Sequence, residues 1–355
     1  MISDQLPYVS IIVVNYNGKH HISEFVESIK NLNYPKSRFE LIIADNGSSD
    51  GSSNFIKKNY PWIRTIQFEK NYGFAEGNNL TVKYAKGEYI AFINNDTIVE
   101  KNWLSEMIKY AMIEQNAIYS SMMLRYDHRD IVVFCGSKLF AWGVPFSPHV
   151  YKFDYQLDIK EKIISFYADG CGMLLKKELF TDLGGFDKDY FAYAEDYDFS
   201  WKAWLYGYNV YCIPSSKFYH KISSTFGRRS SRGIHLLWRN NITNILKYTE
   251  AKNLFKIIFL HLIFSLSVYL ALFIPEREYM MIFAIIKSYF SNIKNIRKIY
   301  RKRKIIQLNR TVSDYEISKI GIKFSLKESI KQNLKFIKRK KDFERGNMFD
   351  KRKKY

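Results

Sequence analysis

YVSIIVVN, residues 8–15, is a β-rich apolar run, and it stops at Asn15-Tyr16-Asn17-Gly18, a turn signal. Four Ile and Val in succession make it a strand buried on both faces. Working outward, Ile22, Phe25, Val26 and Ile29 fall at helical spacing just after it. FELIIA (39–44) is a second strand, cut off by DNGSSDG (45–51), and a helix near 52–59 leads to a third short strand at 63–68. Residues 78–85 read as helix and YIAFIN (89–94) as a fourth strand. Strands alternating with helices at this spacing predict βαβ units and a parallel sheet.

In an open parallel sheet, ligands bind beyond the carboxyl ends of the strands. Here those ends are residues 15–18, 45–50 and 94–96; all three are polar, and two carry Asp. From about 110 to 165 the periodicity places no element. Order returns over 166–222, with a strand at 171–175, a turn at Gly184-Gly185, a helix over 195–206 and a short strand at 209–213. Residues 225–250 read as a polar linker bearing Arg and Asn.

Four groups of residues are candidates for chemistry, and each has a plainer reading. Asp45, at a strand end, could accept hydrogen bonds from a base N–H or ribose hydroxyls; equally, its loop could be a strand-to-helix turn capped by Ser48 or Asp50. Asn94-Asn95-Asp96 suits one hard divalent cation bridging diphosphate oxygens, or a polar turn. Glu195, Asp196 and Asp198 fall within four positions among aromatic residues. They could simply compensate a helix dipole, but desolvation by those rings would raise a carboxylate towards the working range of a general base. His220, between Tyr219 and Lys221 and after Phe218, reads on its own as a structural histidine. The chain has no GxGxxG after the first strand, no GxxxxGK[ST] and no HExxH. Those absences argue against a dinucleotide oxidoreductase, a P-loop NTPase and a zincin.

The charge is unevenly placed. The 355 residues carry a net +20, but residues 251–355 hold 26 Lys/Arg against 8 Asp/Glu, a net +18, leaving 29 against 27 in residues 1–250. A tail so basic is expected to meet a polyanion: anionic lipid or nucleic acid. Cys135, Cys171 and Cys212 are widely spaced without a CxxC, and the apolar run at 9–14 is shorter than a signal peptide's apolar core, so a reducing, cytosolic setting is expected.

Taken in order, VSIIVVNYNG (9–18), LIIADNGSSDGS (41–52), NYGFAEGNN (71–79), FINNDTIVEKNWL (92–104), the segment GCGMLLKKELFTDLGGFDKDYFAYAEDYDFSWKAWLYGY (170–208) and FYHKISSTFG (218–227) resemble the family 2 glycosyltransferases, in particular their rhamnosyltransferase-like subgroup. The resemblance implies an α/β GT-A fold, with a mixed, mostly parallel central sheet flanked by helices. It also implies an inverting sugar transfer from a nucleotide-sugar donor with a divalent metal, Mg²⁺ or Mn²⁺. By that likeness Asp45 would contact the nucleobase, and Asn15, Tyr16 and Asn17 would line the nucleoside pocket. Asn71, Gly73 and Asn79 match the donor-binding loop. Asp96 matches the last acid of the family's DxD motif, whose first two positions are Asn94 and Asn95 here; Asn94 removes one charge beside ribose and metal. His220 matches a further metal contact, and Asp196 the base, with Glu195 or Asp198 left to bind sugar hydroxyls.

Two domains are expected: residues 1–240 for nucleotide-sugar binding and catalysis, and a basic, helical, membrane-associated region over 241–355. Residues 254–274 are long enough to span a bilayer, but one span would separate the basic tail from the cytosolic domain, against the positive-inside rule. An interfacial helix resolves the conflict and predicts a peripheral or monotopic protein at the cytoplasmic face, with anionic lipid as partner and a lipid-linked saccharide as acceptor. A nucleotidyltransferase of similar architecture and a nucleic-acid-binding protein are the rival readings. The second is disfavoured because the charge lies outside the motif-bearing region and beside an apolar run that nucleic acid does not explain.

Overall fold

The computed structural model describes residues 6–221, 230–272, 280–320, 325–346 and 348. In chain order the first half contains β1 (Val9–Asn15), α1 (Lys19–Lys30), β2 (Phe39–Asp45), α2 (Ser52–Asn59), β3 (Arg64–Gln67), α3 (Gly73–Val82), β4 (Tyr89–Ile93), β5 (Thr97–Val99), α4 (Trp103–Ile113), β6 (Ala117–Arg125) and β7 (Val132–Phe134). A small ribbon, β8 (Lys138–Leu139) with β9 (Pro145–Phe146), and β10 (Ile163–Ile164) precede β11 (Gly172–Lys176), α5 (Lys177–Asp182), α6 (Glu195–Leu205) and β12 (Asn209–His220). Helices then take over: α7 (Ser231–Tyr248), α8 (Ala251–Leu272), α9 (Met280–Lys294), α10 (Ile296–Leu308), α11 (Asp314–Ile320) and α12 (Leu326–Glu344).

The central sheet runs β10-β12-β6-β11-β4-β1-β2-β3. β1 lies parallel between β2 and β4, and β3 parallel beside β2, the βαβ half predicted from the sequence. Residues 9–13 and 41–45 are fully or almost fully buried, as a central parallel strand covered by helices on both faces requires. β11 is antiparallel to both β4 and β6, so the sheet is mixed.

The strand at 209–213 is longer than expected. β12 continues through Pro214 to His220, with a break in register between Ile213 and Lys217. Beyond that bulge it pairs antiparallel with β5, setting His220 opposite Thr97. The segment from 110 to 165 holds β6, all nine residues of which are buried, including Ser120 and Ser121. Polar residues in a wholly buried strand erase the alternation a sequence reading relies on.

Residues 231–248 are a helix, not a linker. Its buried side mixes Leu236, Ile242, Ile245 and Tyr248 with Asn240, Asn241, Asn244 and Lys247, and those polar residues are what made it read as a linker. The expected helix at 254–274 is α8 as far as Leu272; residues 273–274 lie outside the described ones, as do 222–227 of the His220 segment. Among the described residues no helix is long and apolar enough to cross a membrane.

Candidate functional site

The carboxyl ends of β1 and β4, the start of α3, the β10–β11 loop and the loop entering α6 surround a cavity of about 380 Å³. Tyr16, Asn71, Gly73, Asn94, Asn95, Asp96, Glu195, Asp196 and His220, nine of the sequence-predicted residues, line it. Asn15, Asn17, Asp45 and Asn79 do not; they brace the walls.

Asp45 is fully buried and occupied by its own surroundings. Its carboxylate accepts from the Ser48 amide at 2.9 Å, Ser52 Oγ at 2.9 Å, Gln67 Nε2 at 3.0 Å and Asn15 Nδ2 at 3.3 Å. The amide of Asn15 also donates to Ser52 Oγ at 2.8 Å, and its Oδ1 accepts from Asn95 Nδ2 at 2.5 Å, tying β1 to the β4 turn. Asp50 accepts from the Ser52 and Lys19 amides, so the 45–52 loop is a braced turn, but the N-cap of α2 is Gly51, with no side-chain cap from Ser48 or Asp50. Asn17, at φ 52°, accepts from the Ser49 amide, 2.8 Å away. Asn79 bridges α3 to Phe186 through both of its amide atoms, at 2.8 and 2.9 Å. These four residues position the site from behind.

On the wall, the β5–β12 pairing brings two residues 124 positions apart together: His220 Nε2 lies 3.1 Å from Asp96 Oδ1. Burial alone would lower the His220 pKa, but the bond to Asp96, the Asp96 charge and that of Asp169 outweigh it and hold it above its ordinary value. Asn94 stands where a first acid would, and its amide donates to Cys171 Sγ at 3.0 Å. Opposite lie three carboxyls. Glu195 is buried and Asp169 and Asp196 half-buried. Desolvation, then mutual repulsion, raises the Asp196 pKa, with Glu195 and Asp169 as the repelling charges. Glu195 is pushed up to about 8, and Asp169 is raised chiefly by desolvation. Glu195 Oε2 has no hydrogen-bond partner among the described residues, so this buried oxygen is open to a ligand. Such perturbed carboxyls in a cleft mark a functional site.

The third acid of the cluster does something else. Asp198 Oδ1 accepts from Tyr190 Oη at 2.9 Å, Tyr248 Oη at 2.7 Å and Lys247 Nζ, anchoring α6 to α7. It is not on the cavity wall.

Sequence reasoning did not single out Asn46, Asp169, Cys171 or Asn240. The strand end before Asn46 was a usable signal, because that residue's amide holds the Asn71–Gly73 turn at 3.0–3.1 Å. Nothing local marks Asp169, which reaches the cavity only because β11 runs antiparallel to β4.

The loop that delivers Glu195 and Asp196 is strained. Phe191, Tyr193 and Ala194 all have left-handed φ, at 64°, 69° and 64°, each costing on the order of 1–3 kcal/mol outside glycine. Two elements hold it there. At the start of α3 the Phe74 amide donates to Phe191 O at 2.6 Å, and a Cβ on Gly73 would sit 2.3 Å from that same oxygen; only glycine fits. From α7, Asn240 Nδ2 donates to the carbonyls of Tyr190, Ala192 and Tyr193 at 3.2, 3.0 and 2.6 Å, and Asn244 Nδ2 to that of Ala194 at 3.2 Å. The Asn240→Ala variant is expected to lose about 1–3 kcal/mol in urea unfolding, because buried carbonyls lose their donor. Asn240→Asp should not rescue it, since an ionised carboxylate cannot donate.

Residues 10–184 match the family model described as Glycosyl transferase family 2. Those residues form a family 2 glycosyltransferase domain. An uncharacterised glycosyltransferase of Rickettsia typhi is 26% identical over 202 residues, 55% of this chain and 58% of that one. The chain thus matches little more than half the length of that curated relative. The rhamnosyltransferase WbbL of Escherichia coli K12 is 28% identical over 226 residues, 58% of this chain and 81% of WbbL. The structure of the mannosyltransferase PcManGT from Pyrobaculum calidifontis, in complex with GDP-Man and Mn²⁺, superposes with a TM-score of 0.52 at 18% identity, covering 86% of this chain and 85% of that one. This likeness shows a shared fold, the GT-A arrangement of mixed sheet and flanking helices that the resemblance predicts.

Proposed function

We propose that this family 2 member is an inverting glycosyltransferase that moves a sugar from a nucleotide-sugar donor onto a saccharide carried by a lipid, at the cytoplasmic face of a membrane. The observation that carries the reading is the meeting, in one cavity, of the raised carboxyls Asp196, Glu195 and Asp169 with the Asp96–His220 pair. Similarity to nucleotide-sugar enzymes of the same fold supports the donor class.

Inversion in one displacement needs a base on the acceptor side and charge neutralisation on the leaving side. Asp196 supplies the base. It accepts from the Gly170 amide at 3.2 Å and from its own neighbour Tyr197's amide at 2.9 Å, which fix its orientation. Its carboxylate takes the acceptor hydroxyl proton as the oxygen attacks the anomeric carbon. The open Glu195 Oε2 accepts a bond from a sugar hydroxyl. No covalent sugar–protein intermediate forms.

The opposite wall fits a divalent cation. Asp96 offers a carboxylate oxygen of the kind that suits Mg²⁺ or Mn²⁺, with the His220 imidazole nitrogen 3.1 Å away as a second donor. Among the described residues there is no group of three acidic, His or Cys side chains that could by itself hold a metal. That suits an ion that completes its shell with water and substrate phosphates. Asp96 and His220 would hold it, and as a Lewis acid it would neutralise charge on the departing diphosphate. The net +18 of residues 251–355 supports the membrane setting and the lipid-borne acceptor.

Thermal shift against UDP, GDP and dTDP with Mg²⁺, Mn²⁺ or chelator tests the donor site. One nucleotide is expected to raise the melting temperature in a metal-dependent, concentration-dependent way, and Asp96→Ala to abolish the metal dependence. Equal shifts with and without chelator would remove the metal from the reading. No shift with any nucleotide would overturn the donor assignment.

A further inference from the structure

Helices α8 and α9 carry large apolar side chains on their outward faces. Towards the body of the protein they present polar groups beside Ile257, Ala284 and Ile285. Ser265 Oγ accepts from Trp238 Nε1 of α7 at 3.0 Å, Ser288 Oγ lies 3.2 Å from His235 Nδ1, and Asn292 bonds Arg239 O at 3.0 Å and Thr243 Oγ1 at 2.7 Å. His261, Ser265, Ser288 and Asn292 are all buried. Outward, α8 shows Phe255 at 84% exposure, Phe259 at 54%, Ile263 at 52% and Leu266 at 56%. On α9 the same is true of Phe283 at 63%, Phe290 at 67% and Ile293 at 66%. Both helices rest on α7 and touch through Ser265 and Tyr289, 3.1 Å apart, so their outward faces belong to one layer.

A helix folded against its own protein in water buries its apolar stripe and wets its polar one. Here two neighbouring helices keep much of their apolar surface outward, with aromatic residues outermost. An apolar face on this scale marks an interaction surface. The charge says which kind: neither helix contains an Asp or Glu, and exposed Lys252, Lys256, Lys287 and Lys294 flank the apolar residues. A second copy of the chain would bring the same positive charge to the contact and be repelled. Anionic lipid headgroups would attract it while their acyl boundary takes the rings.

We propose that the outward faces of α8 and α9 are the membrane-docking surface of this protein, lying in the plane of an anionic bilayer with the side chains of Phe259 and Phe290 inserted below the headgroups. The inference rests on the membrane reading given above and assigns it to these two helices. It takes the role from the basic clusters at 301–304 and 338–341, where several members are spent inside the protein. Lys302 pairs with Asp187 and Asp189 at 2.5 Å, Arg303 donates to the carbonyls of Leu246 and Thr249 at 2.7 Å, and Arg339 donates to Pro148 O at 2.9 Å.

Flotation of the full-length chain with vesicles tests it. Wild type is expected to float with vesicles containing phosphatidylglycerol and weakly with phosphatidylcholine alone. The double variant Phe259→Ser/Phe290→Ser should bind on the order of 30-fold or more weakly, and Lys256→Glu/Lys287→Glu should lose the preference for the anionic lipid. Both pairs are on the outer surface, so melting temperature and nucleotide-induced shift should match wild type, which separates lost docking from lost folding. Wild-type binding by the Phe variant would overturn the assignment while leaving the membrane reading standing. Failure of wild type to float would overturn both, and a concentration-dependent dimer disrupted by the Phe variant would make the face a self-association surface instead. Nucleotide binding and sugar transfer are read separately, so their failure would sink the enzymatic reading alone.

Discussion

Asp196→Asn is expected to fold, bind nucleotide and lose sugar transfer by a factor of roughly 10²–10⁴, the usual contribution of a positioned general base. Asn is nearly isosteric and can keep one of the two backbone bonds at 2.9 and 3.2 Å, so the loss isolates proton acceptance. Relief of repulsion among Asp196, Glu195 and Asp169 should leave the variant at least as stable as wild type. The wild-type profile carries the same signature. Burial, with the Glu195 and Asp169 charges, holds the Asp196 pKa well above its ordinary value, and only the ionised form accepts a proton. Transfer should therefore rise with pH through a limb displaced upward from the usual carboxylate value of about 3.9. Near-wild-type turnover in the variant, measured as nucleoside diphosphate release with acceptor present, would transfer the base role elsewhere.

The second large effect is on stability. Lys247→Met is expected to cost about 3–5 kcal/mol in denaturant unfolding, because it leaves a buried carboxylate without its cation. Lys247 is 2% exposed and Asp198 is fully buried; Lys247 Nζ bonds both Asp198 Oδ1 and, at 2.9 Å, Asp187 Oδ2. Asp187 keeps a second cation in Lys302, but among the described residues Asp198 keeps only the Tyr190 and Tyr248 hydroxyls. A double variant that also carries Asp198→Asn should recover a substantial part of the loss, and the double-mutant cycle measures the coupling. Burial would raise the Asp187 pKa, yet Lys247 and Lys302 hold it below the carboxylate range. A depressed pKa contributes stability that is full above the unfolded value of about 3.9 and is lost as pH falls below it. Lys247→Met should weaken that acid sensitivity. Additive single effects in the cycle would show that the pair does not bind α7 to α6.

This pair also shows why a boundary drawn at residue 240 is not where contacts thin out. α7 straddles it, with Arg239 donating to Asp189 O and Tyr190 O at 2.9 Å and Lys247 closing on α6. α10 adds Lys298 and Lys302 on Asp187 and Asp189. Part of the basic excess is thus internal ion pairing to the acid-bearing loop.

What the sequence determined by itself is the parallel half of the sheet and the line of polar strand ends. Continuous Ile/Val runs such as 11–14 and the abrupt turns at 15–18, 45–51 and 94–96 leave the backbone little choice, because burial on both faces and turn chemistry act over a few residues. Tyr16, Asn94, Asn95 and Asp96 of the cavity wall follow from that. Tertiary structure alone decided what each polar group does. Asn15, Asp45 and Asn79 look like ligand contacts in the chain, but they spend their hydrogen bonds on partners up to 107 positions away. His220 meets Asp96 only because β12 passes its bulge to reach β5. The buried asparagines of α7 find their partners in carbonyls of a strained loop some fifty residues earlier. A buried polar group is specified by the partner that completes its hydrogen bonds, and long-range partners leave no periodic trace in the sequence.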